Sequence, residues 1–385
     1  MNNERQPPIS VKSPIWLTLD TGYLLQVYMM KKMQRLDVIE CSGSPYDVGR
    51  QYGEAAKANI AKSIDTLVAR MQASAGANKS DLLANTRKYL PAIEKYDPAL
   101  VQQLKGQAEG AGVTFEEVLA LRCWFELRFY YKHLQTLCTS FAVTGKATKD
   151  GRAIIGQNFD VLPGITLDMV KIKRDDGGRE LSLVFWGGGE LTITGAGLGI
   201  VLNVVLSPTE QQALNVPCCC VMPKVMRQKR MGDALSELCT HGRSMLHYIM
   251  GSAEGDIFSI ETHPTGFNVE QPTRDVLVHG NHYHDPRFKE GDNAIPEVRG
   301  STYVRVQRFN RLIDRHYGEL TPEMMMGFMA DHGNYPHAIC GHPNEEMPPH
   351  ARSMTVSSVI MVPEDRVMYA TCGPPCEYEY SEYRL

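Results

Sequence analysis

The sequence predicts an α+β protein in which a helical N-terminal part precedes a larger, mostly antiparallel β region with helices. Three observations carry this prediction. From Tyr46 to about residue 133, apolar residues recur at helical spacing, and prolines and glycines divide the segments. At Cys138 the period changes to two, which is typical of strands with one buried face. Asp150 and Gly151, a dipeptide typical of tight hairpins, then separate two strand-like segments.

The chain is predicted to have three parts. Residues 1–36 form an N-terminal extension, residues 37–137 a mainly helical segment, and residues 138–385 the core. The polar start is not followed by the apolar stretch of a signal peptide, and residues 17–30 are too short and too mixed to span a bilayer. We therefore expect a cytoplasmic location, with the ten cysteines as reduced thiols.

Composition and charge argue against binding to large charged partners. Hydrophobic residues make up 43% and charged residues 22% of the chain, as in average soluble globular proteins. The net charge is −4, with acidic and basic residues mixed along the chain. No field of a single sign would recruit nucleic acid or an anionic membrane. The predicted partner is a small molecule, and the sequence leaves a homo-oligomer open.

The N-terminal third is predicted to be helical after a short strand over residues 37–41. In the first helix, Gly49 and Gly53 lie four residues apart on one face, which lets another backbone, expected to be a sheet, approach closely. Thr114 and Glu117 form a capping-box pattern that opens the last helix. The further helices are predicted at about residues 80–90, 98–110 and 115–133.

The β region is predicted to begin with a hairpin of residues 138–144 and 152–160. A two-residue turn would place Asp160 opposite Phe141, so that a carboxylate arrives within a few residues of Cys138. The run from Cys218 to Cys220 is interpreted as a buried strand of small apolar residues rather than a metal site. Further strands are predicted at 166–173, 181–186, 191–194, 198–205, 257–261, 266–270, 276–279, 355–362 and 366–371, with helices at about 301–317 and 321–330.

Cys138 is predicted to become a new N-terminus through self-cleavage after Leu137. A free cysteine has a pKa near 8.5 and usually needs a base to act as a nucleophile. A free α-amine has a pKa of about 7.7–8.0, so an N-terminal cysteine carries nucleophile and base on one residue. Such a site needs a neighbour that orients the amine, a role that suits Asp160, and donors for an oxyanion.

Four segments give the chain a family resemblance. They are GSPYDVGRQYG at 43–53, CTS at 138–140 followed by GQNFD at 156–160, GLGIVLN at 197–203, and HGNH at 279–282. In this order and spacing they resemble the cysteine-type N-terminal-nucleophile (Ntn) hydrolases, in the branch of acyl-CoA:6-aminopenicillanate (isopenicillin-N) acyltransferase and insect β-alanyl-dopamine hydrolase. Choloylglycine hydrolase and penicillin V acylase are more distant relatives. The resemblance implies a four-layer αββα sandwich, the Ntn-hydrolase fold, with an N-terminal helical segment.

The resemblance also implies roles for individual residues. Cys138 would be the nucleophile and, through its amine, the base, while Asp160 would orient that amine. Asn281 would donate its side-chain amide to the oxyanion, and Asn203 would contribute near the oxyanion hole. Substrate-binding or supporting positions would be Thr139, Gln157, Phe159, His282, Ser301 and Arg305. No metal and no cofactor are implied.

The implied reaction is acyl transfer through a Cys138 thioester to water or to an amine. The substrate would be a small amide, an N-acyl amino compound or an acyl thioester such as an acyl-CoA. The two fragments, 1–137 and 138–385, would stay associated after cleavage. Relatives often have glycine before the cleaved cysteine, and Leu137 makes the strained backbone of the acyl shift harder to reach. Gln157 stands where the bile-salt and penicillin V hydrolases have arginine, which favours the acyltransferase-like branch.

Two alternatives stay open from the sequence. Alternation along a strand places His282 and His284 on one face, so a zinc-dependent hydrolase could use them together with His279. Further ligands for such a metal would come from His263, His332 or His337. The other alternative is an uncleaved, non-catalytic binding protein with an inert Cys138. Metal analysis and denaturing electrophoresis separate the three hypotheses.

Overall fold

The structure is a computed structural model that describes residues 13–18, 24–29, 31–131, 137–205, 214–289, 296–347 and 352–385. Up to Tyr131, the elements are β1 (Ser13–Thr18), β2 (Leu24–Met29), β3 (Val38–Gly43), α1 (Pro45–Ala55), α2 (Lys57–Ala75), α3 (Lys79–Arg87), α4 (Leu90–Tyr96), α5 (Pro98–Ala111), α6 (Phe115–Arg122) and α7 (Trp124–Tyr131). The predictions for residues 1–12 and for helix beyond residue 131 lie outside the described residues.

From Thr139 onward the chain is richer in strands. The elements are β4 (Thr139–Val143), a 3₁₀ helix (Gly145–Ala147), β5 (Ile154–Val161), β6 (Leu167–Arg174), β7 (Arg179–Phe185), β8 (Gly189–Thr194), β9 (Leu198–Val204), α8 (Cys218–Met226), α9 (Met231–His241), β10 (Leu246–Ser252), β11 (Ile257–His263), β12 (Gly266–Glu270), β13 (Val276–His279), α10 (Pro286–Lys289), α11 (Pro296–Arg315), α12 (Pro322–Met329), β14 (Met354–Val362), β15 (Val367–Ala370) and β16 (Ser381–Arg384). The predicted order, helices first and strands after residue 138, is confirmed.

Two large sheets form the centre of the molecule. The first has eight strands in the order β12-β11-β10-β9-β8-β7-β6-β3, in which β3 and β6 are parallel and the other neighbours are antiparallel. The second has six antiparallel strands in the order β13-β4-β5-β14-β15-β16. Strands β1 and β2 pair with each other in a separate small sheet.

The two sheets pack face to face between helices. Strands β4 and β5 contact β9 and β10 of the other sheet. Helix α1 packs on β3 and β6, and α8 packs on β8, whereas α11 and α12 pack on the outer side of the six-stranded sheet. All eight residues of β5 are buried, because this strand has layers on both of its sides. The predicted four-layer αββα sandwich is confirmed.

The glycine face of α1 packs against another helix. A Cβ on Gly49 or Gly53 would overlap with the backbone of α5 at Gln103 or Gln107, and Gly106 of α5 meets α1 in the same way. The expectation that these glycines face a sheet is therefore wrong. The reason is that glycines on both helices remove every Cβ from the contact, so two helical backbones can touch.

The hairpin of β4 and β5 has a different register from the one predicted. Ser140 pairs with Gln157 and Thr139 with Asn158, and ten residues separate the two strands. The predicted two-residue turn at Asp150 and Gly151 is wrong, because the loop pairs elsewhere: Thr148 forms a parallel bridge with Leu320, which lies just before α12. The observed register brings Asp160 still closer to Cys138.

The three consecutive cysteines begin helix α8 and do not form a strand. They are buried as predicted. The helix starts there because the buried carboxylate of Glu126 accepts a hydrogen bond of 2.8 Å from the backbone N–H of Cys218. A negative group at a helix N-terminus satisfies an otherwise unpaired donor and interacts favourably with the helix dipole. Among the described residues, no helix combines the length and the hydropathy needed to cross a membrane.

Candidate active site

Cys138 lies directly before β4, at the edge where the β4–β5 hairpin opens. Its side chain is fully buried, and Sγ lies 3.9 Å from the backbone oxygen of Asp160. Burial, followed by the nearby Asp160 carboxyl, raises the pKa of the Cys138 thiol to about 12. In the uncut chain, where its nitrogen belongs to a peptide bond, Cys138 is therefore a neutral thiol at neutral pH. It needs a further base before it can attack a carbonyl.

The Asp160 carboxyl group is buried and lies beside Thr355 and Gly341. One oxygen, Oδ1, accepts a hydrogen bond of 2.6 Å from the hydroxyl of Thr355 on β14. The other, Oδ2, is buried without a hydrogen-bond partner in the part of the chain that the structure describes. Burial raises the pKa of Asp160 to about 8, against the opposing effects of Thr355 and Arg305. Burial removes water from Oδ2 without supplying a hydrogen bond in its place, which is costly. A new donor beside Oδ2 would remove this cost.

Arg305 of α11 connects the start of β4 to the loop after β13. Its guanidinium donates to the backbone oxygen of Cys138 at 2.6 Å, to Oγ1 of Thr139 at 2.6 Å and to Oδ1 of Asn281 at 2.8 Å. Although burial lowers the pKa of Arg305 to about 10, the side chain stays charged at neutral pH. The planar guanidinium thus holds Cys138 and Asn281 in one fixed arrangement.

Asn281 lies in the loop that follows β13 and is buried. Its backbone N–H donates to Oγ1 of Thr302 at 2.7 Å, and its Nδ2 donates to the backbone oxygen of Val204 at 2.8 Å. Because Arg305 donates to Oδ1, the orientation of the amide is set. A primary amide carries two hydrogens on nitrogen, so within the described residues Nδ2 retains one donor beyond its bond to Val204.

Asn203, at the end of β9, is committed to the scaffold. Its Nδ2 lies within 3.0 Å of the hydroxyl of Ser140 and of the backbone oxygens of His279 and Gly280. These contacts join the eight-stranded sheet to β4 and to the loop that carries Asn281. In this arrangement the Asn203 side chain supports the loop of Asn281, the residue predicted to bind the oxyanion. The amide hydrogens of Asn203 are already used in these contacts.

Two predicted residues on β5 point away from Asp160, into the space between the sheets. Gln157 bonds in both directions with the backbone of Leu202 on β9, accepting from its N–H at 2.9 Å and donating to its carbonyl oxygen. Gln157 also donates toward Cys138, which lowers the pKa of that thiol. Phe159 packs on Phe185 with ring centroids 4.4 Å apart, in an apolar hollow between the sheets.

The remaining predicted residues lie beside Asn281. His282 contacts Thr302 through Nδ1 at 2.9 Å and packs on the ring of Tyr303. Burial lowers the pKa of His282 to about 2, so the imidazole is neutral. The Ser301 hydroxyl is buried and has no hydrogen-bond partner among the described residues.

Sequence reasoning missed three residues that touch this site. Thr355 donates to Asp160, Thr302 holds Asn281, and Gly341 lies against the Asp160 carboxyl group. A Cβ on Gly341 would lie 3.0 Å from Oδ2 of Asp160. No local pattern marks these residues, because each contact is made by a segment far from its partner in the chain.

The histidines of the alternative metal site separate into two groups. His279 and His284 converge with Glu261, with the three possible ligand atoms within 4.8 Å of one another. His282 is not part of this group, since it faces Thr302, and His263 hydrogen-bonds to Thr265. The predicted set is therefore wrong in its membership. Glu261 already accepts hydrogen bonds from the His279 ring at 3.0 Å and from the backbone of the loop after β13.

The order of layers defines the fold class. Two mostly antiparallel sheets between two helical layers form the fold of the N-terminal-nucleophile hydrolases. The chain belongs to the acyl-coenzyme A:6-aminopenicillanic acid acyl-transferase family, whose model matches residues 147–376. The family inferred from the four sequence segments is thus confirmed.

Individual relatives share little sequence identity with the chain. A curated relative is the acyl-coenzyme A:6-aminopenicillanic-acid-acyltransferase 40 kDa form of Emericella nidulans, with 22% identity over 314 residues that cover 78% of this chain and 84% of the relative. A solved variant of conjugated bile acid hydrolase from Clostridium perfringens has 13% identity and a TM-score of 0.41, covering 64% of this chain and 97% of that one. Penicillin V acylase from Agrobacterium tumefaciens has 10% identity and a TM-score of 0.42, covering 61% of this chain and 83% of that one. Membership of the family supports an enzyme of the acyltransferase class.

Proposed function

We propose that this protein is an acyl-transferring enzyme whose nucleophile is Cys138, released as an N-terminal residue by self-cleavage after Leu137. The observation that carries the proposal is the buried pair of Cys138 and Asp160. Oδ2 of Asp160 has no partner in the described structure, and the backbone oxygen of Asp160 lies 3.9 Å from Sγ of Cys138. A free α-amine on Cys138 would supply the donor that this oxygen lacks.

Self-cleavage would proceed by an N-to-S acyl shift. The Cys138 sulfur attacks the carbonyl carbon of Leu137, the C–N bond breaks, and the nitrogen takes up the thiol proton to become an amine. Water then hydrolyses the thioester, which leaves a carboxylate on Leu137 and a free thiol on Cys138. Arg305 would hold the Cys138 carbonyl throughout, so the new N-terminus stays beside Asp160.

In the reaction with substrate, the neutral α-amine would take the proton of its own thiol as sulfur attacks the acyl carbon. Asp160 would hold the resulting ammonium group in place. The free amide hydrogen of Asn281 would stabilise the oxyanion, because Arg305 and Val204 fix the orientation of that amide. The leaving amine or thiolate takes the proton, and water or an acceptor amine then attacks the thioester.

The substrate class proposed is a small amide, an N-acyl amino compound or an acyl-CoA. The family supports acyl-group chemistry, and the apolar hollow that includes Phe159 and Phe185 offers an apolar surface on the inner side of β5. Whether the acceptor is water or an amine depends on how much water reaches the thioester.

Self-cleavage is tested by intact mass and denaturing electrophoresis of the purified protein. We expect fragments of residues 1–137 and 138–385 from the wild type and a single intact chain from Cys138→Ala. Cys123→Ala is the matched control, because Cys123 is another fully buried cysteine outside the site. A wild-type chain that stays uncut, or fragments that persist in Cys138→Ala, would contradict the proposal.

Acyl transfer is tested by offering the cleaved protein a panel of amides and acyl-CoAs and measuring the mass of the 138–385 fragment. We expect one acyl adduct on Cys138, removed by hydroxylamine and absent when Cys138 is alkylated beforehand. Release of the acyl group into water or onto an added amine then separates hydrolase from acyltransferase. An adduct that maps to any other cysteine would overturn the assignment.

The alternative is a metal-dependent hydrolase built on Glu261, His279 and His284, whose donor atoms converge. The variant His284→Ala separates the two functions, because this half-buried residue is outside the Cys138 contacts described above. Under the cysteine mechanism this variant keeps most of its activity, while Cys138→Ala has none. The opposite pattern would favour the metal hydrolase.

A further inference from the structure

A second cluster of ligand-type side chains lies outside the residues assigned to catalysis. It consists of His332, Cys340, His342 and Cys376, contributed by the loop between α12 and β14 and by the segment between β15 and β16. One donor atom from each side chain lies within 4.8 Å of all the others. We call these four residues the Cys₂His₂ cluster.

Four of the six donor–donor distances in the cluster are close to the edges of a tetrahedral site. The Sγ atoms of Cys340 and Cys376 are 3.6 Å apart, and Nε2 of His342 lies 3.6 Å from the first and 3.4 Å from the second. Nε2 of His332 lies 3.1 Å from Nε2 of His342. Around a tetrahedral zinc ion, bond lengths of about 2.3 Å to sulfur and about 2.0–2.1 Å to nitrogen give edges of about 3.8 Å (S–S), 3.6 Å (S–N) and 3.3 Å (N–N).

Both cysteines of the cluster would bind a metal ion as thiolates, so binding would release their protons. The two sulfur atoms are too far apart for a disulfide bond, which requires about 2.05 Å.

We propose that the Cys₂His₂ cluster binds one zinc ion in a closed, structural site. Two sulfur and two nitrogen donors are a set typical of structural zinc, and four protein ligands leave no open position for a substrate. His332 is exposed and Cys340 is buried, so the ion could enter from the protein surface. This site differs in position and in donor atoms from the group of Glu261, His279 and His284.

The zinc site would fix the position of the loop segment that lies next to Asp160. Gly341 lies between two ligands, and its backbone N–H donates to Oγ1 of Thr355 at 2.9 Å, while Thr355 donates to Asp160. The backbone N–H of Thr355 in turn donates to the carbonyl oxygen of Gly341 at 3.0 Å. A metal ion that fixes Cys340 and His342 would therefore fix Gly341 against the carboxyl group of Asp160.

This consequence rests on the proposed function, whereas the binding of zinc does not. Removal of the ion would let the loop move away from Asp160 and would slow acyl transfer or self-cleavage. A protein that binds zinc in the cluster but shows no Cys138 chemistry would contradict the proposed function alone.

The binding test uses full-length protein, reduced and freed of metal with a chelator, and titrated with Co²⁺. We expect one equivalent to produce the sulfur-to-cobalt charge-transfer bands and the intense d–d bands of a tetrahedral site, and Zn²⁺ to abolish them. Cys340→Ser and Cys376→Ser should each lose the charge-transfer intensity of one sulfur. His332→Ala, which changes an exposed residue, should lower the affinity on the order of tenfold or more.

Two variants serve as controls. Cys372→Ser alters a nearby cysteine whose Sγ faces the backbone oxygen of Gln34, and His284→Ala alters the other histidine group. Both should keep the cobalt spectrum. The catalytically inactive Cys138→Ala protein should also keep it, so that loss of activity and loss of metal are separated.

Three results would overturn the zinc site. The first is reduced wild-type protein that gives no tetrahedral cobalt spectrum. The second is a cobalt spectrum that keeps its full charge-transfer intensity in both cysteine variants of the cluster, or one that disappears only in His284→Ala. The third is a disulfide between Cys340 and Cys376 in the protein purified under reducing conditions.

Discussion

At the scale of single residues, the surroundings of Asp160 decide what the site can do. Its carboxyl group is buried, one oxygen is hydrogen-bonded to Thr355, and the other has no partner among the described groups. A carboxyl group in such a position favours its neutral form, because burial disfavours charge. The uncut chain thus holds Asp160 in an unfavourable environment that a neighbouring ammonium group would relieve.

The raised pKa of Asp160 predicts how stability depends on pH in the uncut Cys138→Ala protein. The folded value is about 8 and the usual value is 3.8, so the folded state binds a proton that the unfolded state has lost between these two pH values. This contribution to stability is fully present below about pH 4 and is lost as the pH rises through about 8. The expected loss is a few kcal/mol, measured by denaturant unfolding at several pH values.

A second substitution isolates Asp160. Adding Asp160→Asn to the Cys138→Ala protein should flatten the fall in stability between pH 5 and 8. Asp150→Asn serves as a contrast, because Arg152 lowers the pKa of Asp150. Loss of the Asp150 carboxyl group should therefore leave the fall in stability between pH 5 and 8 unchanged. Equal pH profiles with and without Asp160 would show that this carboxyl group is not held in the buried environment described above.

The contact between Gly341 and Asp160 gives a second prediction at this scale. Gly341→Ala would place a Cβ 3.0 Å from Oδ2, and we expect a decrease in activity on the order of tenfold, because a small displacement of a positioning group is costly. Gly327→Ala on α12 is the control, since a Cβ there meets no atom within 4 Å. Activity assays and thermal unfolding of both variants provide the measurement, and equal activity in the two would contradict the role of Gly341.

At the scale of elements, the contact between α1 and α5 depends on glycines. Gly49 and Gly53 of α1 and Gly106 and Gly110 of α5 bring the two backbones together, and a Cβ on any of the four would overlap with backbone atoms of the other helix. Helix α1 also contacts β3 and β6. The close contact therefore sets the position of the edge of the eight-stranded sheet.

Gly49→Ala should destabilise the protein strongly. A Cβ at this position overlaps with the carbonyl oxygen of Gln103, and the two helices would have to separate along their length. We expect a loss of about 3 kcal/mol or more in the free energy of unfolding, at the upper end of overpacking effects. Gly232→Ala on α9 should be neutral or slightly stabilising, because no atom lies within 4 Å of the added Cβ and alanine favours a helix. Chemical denaturation of both variants tests the difference, which a neutral Gly49→Ala would refute.

At the scale of the whole molecule, the parts before and after Cys138 form one packed unit. Strand β3 pairs with β6 along its full length, although the two strands belong to opposite sides of the proposed cut. Arg122 of α6 forms a buried ion pair of 2.6 Å with Glu190 of β8, and it also donates to the backbone of Cys219. Breaking these contacts would leave buried charges without partners.

We therefore predict that fragments 1–137 and 138–385 stay associated after cleavage. They should elute together in size-exclusion chromatography under native conditions and separate only in denaturant. Glu190→Gln should lower the denaturant concentration at which they separate, because the charge of Arg122 would lose its partner. An exchange of the exposed Glu54, which pairs with Arg50 on the surface of α1, for glutamine should have little effect. Elution of the two fragments apart under native conditions would contradict this account.

Local patterns in the sequence predicted much of the secondary structure. The capping box of Thr114 and Glu117 opens α6 as expected, and Phe309 and Ile313 face inward from α11. These features depend on residues three or four positions apart, so the chain near them contains all the information needed. Prediction failed at Cys218 to Cys220, because the capping carboxylate of the helix belongs to Glu126, far away in the chain.

The sequence by itself determined the α+β class and the family, and it indicated Cys138, Asp160 and Asn281 as candidate site residues. It could not determine the register of the β4–β5 hairpin, because the loop at Asp150 pairs with the segment before α12. Only the tertiary structure placed Thr355 and Gly341 on Asp160 and assembled the Cys₂His₂ cluster from two distant segments. The physical reason is that hydrogen bonds and metal ligation act over about 2–4 Å in space, whatever the separation along the chain.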